Sequence, residues 1–335
     1  MNQPFRPNLG IWTVGVPALA TAAILAVTMA ICAETILRWS FGSVGSGSPL
    51  STEKELAARA ARAEELMVKA EKLLHEAKRR AGLPIPDGLT SRDSAFLGEE
   101  LTSLVTTLGN LEAKRLAANP RWAGTLTYKL HQQGVRAGDV VTASFSGSFP
   151  ALNTAVIAAC SVLQARLLAI SSVTASNWGA NQPGFTWPEI EVRLVQAGLF
   201  APASVAVSIG GAGDRGEDLE PDARAQAAQI QLASARALQA EVLSPEDLRK
   251  AVGQRMRIYR LAGNRARPVL YVNVGGSTAS LGASLAILRQ RSGFLQALPF
   301  DLSSDRGVIA HFTEMGVPVL NLLNIRDLAF RWDIS

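Results

Sequence analysis

The spacing of apolar positions changes rhythm several times along the chain. From Leu9 to Ala33 there are 25 consecutive residues without a charge. As a helix this run reaches about 37 Å, enough to span a bilayer core of roughly 30 Å. It predicts a single transmembrane helix over 9–33. A cleaved signal peptide has an apolar core of only about 7 to 15 residues, so the run is read as an uncleaved anchor. A short polar tail, 1–8, precedes it. A Gly/Ser linker over 34–50 follows, with SFGSVGSGS at Ser40 to Ser48.

Over 51–82 the period is helical and the surface charged. Leu56, Ala63, Ala70 and Ala77 recur every seven residues, with Ala60, Met67, Leu74 and Ala81 four positions later. Thr52 and Glu55 have capping-box spacing, and Gly82 sits where a left-handed cap stops a helix. The seam reads in two ways: a stalk that self-associates as an alanine-rich coiled coil, or a helix lying on the body's own surface. Leu83-Pro84-Ile85-Pro86-Asp87-Gly88 breaks it, and a second apolar-periodic helix is expected from Phe96 to Ala118.

From Asp139 the period shortens. Strand-length apolar runs occur at 139–145, 167–174, 204–209, 268–274 and 317–323, separated by helix-length segments. Alternating strands and helices imply βαβ units, and continuously apolar strands suit a sheet covered on both faces. The predicted fold class is α/β: a doubly wound, mostly parallel sheet of about five strands in a globular domain over 83–335, with a helical lead-in, preceded by the transmembrane helix and the helical stalk.

In such sheets ligands bind beyond the carboxyl ends of the strands. The loops there read SGSFPALN, ASNWGANQPGFTW, GGAGDRGED and GGSTASLG. Gly147 permits a tight turn, Pro150 suits a first helical turn, and Ser146, Ser148 and Asn153 surround the positive end of the helix, a setting for an anion or a polarised carbonyl. One such loop is ordinary turn composition. Four in register predict a pocket. Gly275-Gly276-Ser277-Thr278 is the better anion cradle, because a helix is expected to start directly after it. Gly211 to Gly216 matches G-x-G-x-x-G, but Glu217, Asp218, Glu220 and Asp222 would repel a pyrophosphate. No Walker motif occurs, and no cofactor is expected.

A hydrolase order is present: Ser146 or Ser148, then Asp301 or Asp305, then His311. Neither serine lies in G-x-S-x-G, and His311 falls on a helix before the last strand, at the border of a buried side formed by Val308, Ile309, Phe312 and Met315. His75 and His131 sit on polar helical stretches, so no metal site is expected.

Charge adds a further feature. The net charge is +5 and the sequence pI about 9.5. Arg249, Lys250, Arg255, Arg257, Arg260, Arg265 and Arg267 fall within nineteen residues free of Asp and Glu. This strip is read as a site for a polyanion or anionic headgroups, or as a solvated helix face. No nucleic-acid motif accompanies it, and no nucleic-acid partner is expected. Arg6 and the amino terminus precede the span, whereas Glu34 and Arg38 cancel beyond it, which tips the body outside the cytoplasm. Cys32 and Cys160 form no disulfide framework.

The strings FSGSFPALNTAVIAA, SSVTASNWGANQPGFTWPEIE, SIGGAGDRG, VNVGGSTASLG and GVPVLNLLNI, in that order, resemble the poly-gamma-glutamate system protein family over Gly134 to Leu328. The N-terminal span is also typical of it. The resemblance implies a cell-membrane accessory component of bacterial poly-γ-glutamate synthesis or export, beside an ATP-dependent amide ligase and membrane partners. Residues matching its signature are Ser146, Gly147, Ser148, Asn153, Ser176, Asn177, Gly179, Asn181, Trp187, Glu189, Gly210, Gly211, Asp214, Asn273, Gly275 and Gly276, with Ser277 adjoining. No mechanism comes with the family. Two further readings stay open: an amide hydrolase or transferase that trims or releases the polymer through Ser146 or Ser148, and a scaffold whose sheet edge packs on a partner.

Overall fold

Each continuously apolar run becomes a strand because both of its faces are covered. A computed structural model describes residues 53–283, 287–295 and 306–334. The tail 1–8, the span 9–33, the linker 34–50, Thr52, Asp301 and Asp305 lie outside the described residues. Among those described, no helix is long and apolar enough to cross a membrane.

The strands are β1 (Val105–Thr107), β2 (Val140–Phe145), β3 (Arg166–Ser172), β4 (Ala175–Ser176), β5 (Ser204–Ser208), β6 (Glu241–Val242), β7 (Leu270–Val274), β8 (Gly293–Leu295) and β9 (Val319–Leu322). Seven form one sheet in the order β6-β5-β3-β2-β7-β9-β8, parallel except for β8, which runs antiparallel to β9. All five expected strands are its centre. The two-residue β6 and three-residue β8 extend it at the edges.

The helices are α1 (Glu53–Arg80), α2 (Ser91–Phe96), α3 (Leu111–Ala117), α4 (Arg121–Gln132), α5 (Pro150–Leu163), α6 (Trp187–Gln196), α7 (Pro221–Leu238), α8 (Leu248–Ala262), α9 (Thr278–Leu281), α10 (Val308–Glu314) and α11 (Ile325–Arg331). One core joins α1, α4, α5 and α6 to Val141, Ala143 and Phe145 of β2 and to Leu270, Val272 and Val274 of β7. A second joins α8 and α10 to Ile170, Tyr271 and Val319, which point the opposite way, and a third, smaller one joins α7 to Val207 of β5. Helices therefore cover both faces.

The structure decides between the two readings of the heptad. Leu56, Ala60, Ala63, Met67, Ala70 and Leu74 are buried, and α1 packs on α2, α4 and α5. At Gly124 of α4 the approach is so close that a methyl would lie 2.1 Å from Glu64 Oε1. The helix α1 is thus part of the body, and its seam is filled by the protein's own helices, which corrects the reading of a free self-associating stalk. Ala70→Leu distinguishes the two. In a loose coiled coil a leucine at this position strengthens association. Against a filled interior it overpacks, and we expect a loss of roughly 1–3 kcal/mol in thermal or urea unfolding.

The single helix expected from Phe96 to Ala118 is corrected. The helix α2 ends at Phe96, and Gly98 follows within 2.6 Å of Gly179 O for any added methyl. Val105-Thr106-Thr107 is β-branched and pairs as β1 with β4, and only after Gly109 and the N-cap Asn110 does α3 begin.

Candidate functional site

The central strand order β5-β3-β2-β7-β9 reverses direction between β2 and β7. Loops leaving a parallel sheet at such a point diverge to opposite faces and leave a crevice. Here they border a cavity of about 670 Å³. The loop after β2 contributes Ser146, Ser148 and Phe149; that after β3, Thr174 and Ser176; that after β5, Gly210, Gly211 and Asp218; that after β7, Gly276, Ser277 and Thr278. A fifth loop, after β9, adds Asn324, and Arg326 of α11 stands at the mouth.

The SGSFP turn is held by backbone contacts. Pro150 occupies the first turn of α5, as its ring geometry favours. Gly147 is needed for proximity: a methyl there would lie 2.7 Å from Thr174 O. Gly179 faces it, with 2.8 Å to Gly147 O and 3.0 Å to Ser148 Cα for the same hypothetical methyl. Ala180 N–H donates to Gly147 O at 2.8 Å. The loops after β2 and β3 are therefore locked backbone to backbone. Ser148 N–H donates to Ser146 Oγ at 3.1 Å, and Ser176 N–H donates to Ser148 Oγ at 3.0 Å.

The lead-in supplies the site's cation. Pairing of β1 with β4 swings Thr106, Gly109 and Asn110 over the cavity and sets α3 beside it. Lys114 of α3 is 2% exposed. Its Nζ donates to Ser148 O and, at 2.7 Å, to Ser176 Oγ. Burial pushes the ammonium pKa down to about 7, and among the described residues no carboxylate offsets it. The Phe149 ring, 4.2 Å from Nζ, favours the charged form and opposes that shift. Sequence reading misses Lys114 because the segment has the period of one continuous amphipathic helix; Gly109-Asn110 before it is the available signal.

Of the residues expected at the site, Ser146, Ser148, Ser176, Gly210, Gly211, Gly276 and Ser277 line the cavity. Gly275, at φ +87°, passes within 3.0 Å of Ser146 Cβ for an added methyl, and so draws the β2 and β7 loops together. The others build the wall from behind. Asn153 donates to Ser146 O at 2.9 Å, and Asn273 donates to Gly275 O and Asn321 Oδ1 at 2.8 Å. Asn177 donates to Glu100 O at 2.6 Å and accepts from Gly109 N–H at 3.0 Å. Asn181 closes both backbone groups of Glu99, at 2.7 and 3.1 Å. Trp187 donates to Ser171 Oγ at 2.9 Å inside the core, and Glu189 completes a capping box with Thr186.

Three expectations are corrected. His311 lies on α10 and does not border the cavity that Ser146 and Ser148 line, so these serines and His311 form no relay. Asp214 and Arg255 are both buried and pair with each other. Arg255 therefore leaves the strip. Arg257, Arg260, Arg265 and Arg267 are exposed, but they border a separate groove of about 550 Å³ with Pro268 and Met315, residues that precede β7 and β9. That is the amino-terminal edge of the sheet, opposite the cleft. Arg257 meets Glu241 at 2.8 Å, and Arg267 donates to Met315 O at 2.6 Å. His75, expected to face solvent, is half-buried against Ser94 Oγ at 2.7 Å.

The 3-10 turn Ala212–Asp214 fills the G-x-G-x-x-G stretch, and α7 opens only at Pro221, which keeps a dinucleotide geometry from forming. Comparison with family models, curated proteins and solved structures found no match for this chain.

Proposed function

We propose that the cleft binds poly-γ-glutamate or its growing end, and that the protein is a membrane-tethered accessory component of the polymer's synthesis or export. Residues 9–33 are the tether in this reading. The observation that carries it is Lys114, a buried cation without a carboxylate partner among the described residues, opening on a cavity walled by serine and threonine hydroxyls. A γ-linked glutamate chain offers one carboxylate per residue. One of these completes an ion pair with Lys114 that the described residues do not make, and Arg326 at the mouth meets the next. The resemblance of the loops supports the choice of polymer.

Titration calorimetry of the full chain in detergent micelles with short γ-linked glutamate oligomers tests this. Glutamate carboxylates stay ionised above their ordinary pKa of about 4.3, whereas Lys114 gains its proton as pH falls through about 7. Affinity is therefore expected to rise from pH 8 to pH 6 and to fall with salt. Lys114→Met is expected to cost about tenfold or more at pH 6, the worth of one charged hydrogen bond, and to remove the pH dependence. Absence of binding at pH 6 and low salt, or equal binding of oligomers to Lys114→Met, would defeat the proposal.

A further inference from the structure

We propose that Ser176 and Lys114 form a nucleophile and general-base pair that transfers an acyl group within the cleft. This rests on the cleft being a ligand site, as above, and adds a covalent step at Ser176, which the sequence places among ligand-binding residues and not among the candidate nucleophiles.

The geometry has three parts. Lys114 Nζ is 2.7 Å from Ser176 Oγ, within proton-transfer reach. With the lysine neutral, the same contact reverses: the hydroxyl proton points at the nitrogen lone pair, while a remaining N–H stays on Ser148 O. Ser176 is then fixed from its own backbone, since its N–H donates to Ser148 Oγ at 3.0 Å. Lastly, Gly109 packs beside the hydroxyl without covering it with a side chain; a methyl there would lie 3.0 Å from Ser176 Oγ. Both Ser176 and Lys114 border the cavity. Lys78, also buried, lacks this arrangement: its Nζ donates to a backbone carbonyl, Leu97 O.

The substrate class is an amide whose acyl part carries a carboxylate; in the reactive register the amide carbonyl, in place of a carboxylate, lies beside Lys114, which therefore stays neutral, and the carboxylate meets Arg326 at the mouth. Ser176 Oγ bonds to the carbonyl carbon as its proton passes to Lys114 Nζ. The carbon–nitrogen bond breaks, and that proton leaves with the amine. Water, or an acceptor amine, then attacks the Ser176 ester, gives its proton to Lys114, and displaces the acyl group; Ser176 Oγ takes the proton back. A lysine whose burial favours the neutral form at neutral pH suits this role.

The test is labelling of the full chain in micelles with a fluorophosphonate, which loses fluoride to a nucleophilic serine, followed by peptide mapping. We expect one adduct, on Ser176, whose rate rises from pH 6 to pH 8. Ser176→Ala abolishes it. Lys114→Arg, which keeps the cation but removes the base, slows it about a hundredfold. Oligomer binding is measured on the same two proteins, so loss of labelling with retained binding separates this step from the binding proposal. Ser176→Cys gives a second readout: iodoacetamide is expected to alkylate the introduced thiol faster at pH 7 than it alkylates free cysteine. An adduct on Ser146 or Ser148, no adduct on a protein with an unchanged melting curve, or an introduced thiol no more reactive than free cysteine would overturn the proposal.

Discussion

Replacing Arg255 with methionine is expected to destabilise the protein by about 3–5 kcal/mol, because it leaves the Asp214 carboxylate in the interior without its counter-charge. The pair is fully enclosed. Arg255 Nε donates to Asp214 Oδ2 at 2.9 Å, and Nη2 donates to Oδ1 at 2.8 Å and to Ser208 Oγ at 2.7 Å. A bidentate fork of this kind fixes orientation as well as charge. Asp214 also holds a left-handed backbone, φ +64°, which an aspartate or asparagine tolerates better than most side chains. Asp214→Asn therefore keeps the turn and removes only the charge. The double variant Arg255→Met, Asp214→Asn is expected to recover part of the loss, since no uncompensated ion remains. Thermal and urea unfolding of the four proteins in a double-mutant cycle measures the coupling. Additive losses would show that the two charges are solvated independently.

That pair also shows where one sequence stops being readable. Arg255 reads as part of a basic strip because its neighbours in the chain are basic, while its partner lies 41 residues away in a loop after another strand. The same limit applies to Asn177, Asn181, Trp187 and Glu189. Their residue types suit a binding loop, but Asn181 closes the backbone of Glu99, 82 positions earlier, and no local pattern reports that contact. What is legible obeys local rules. Strands covered on both faces must be continuously apolar, so all five central ones stand out. Pro150 at a helix start and Ser-Gly punctuation after strands are equally local, which is why the loops facing the cavity can be found. The heptad of α1 is legible as a buried stripe, although a stripe does not say what buries it.

The lead-in misleads for a more specific reason. Leu97, Leu101, Leu104 and Leu108 keep a helical spacing through residues that fold as loop and strand. Pairing of β1 with β4 and the backbone approach at Gly98 override that local preference. The consequence reaches the site. Lys114 is placed in the cleft only because the chain turns at Gly109 and Asn110, and a continuous helix would have left it on a solvated face.

Raising the pH from about 7 to 10 is expected to stabilise the folded protein, with Lys78 and Lys114 as the main source. Burial lowers each ammonium pKa to about 7, with Glu99 partly opposing the shift at Lys78. Unfolded, each titrates near 10.4. Between those values the unfolded chain binds more protons, so stability rises with pH; below about 7 both states are protonated and the slope disappears. Each lysine contributes about 1.4 kcal/mol per pH unit inside the window. Buried groups raised by desolvation limit the rise: the unfolded chain loses the Cys160 thiol proton first above about 8.5, and the Tyr259 and Tyr271 protons first above about 10, where stability falls again. Melting curves from pH 6 to 10 are expected to climb, with Lys78→Met and Lys114→Met each removing about half of the slope. A flat profile would mean that both lysines stay charged in the fold. Ligand then separates them. Carboxylates in the cleft restore the charge of Lys114 but reach nothing at Lys78, which is tied to Leu97 O away from the cavity. Saturating γ-linked oligomer should therefore erase the Lys114 share of the slope and leave the Lys78 share intact, which makes the pH dependence of stability itself a reporter of where the polymer binds.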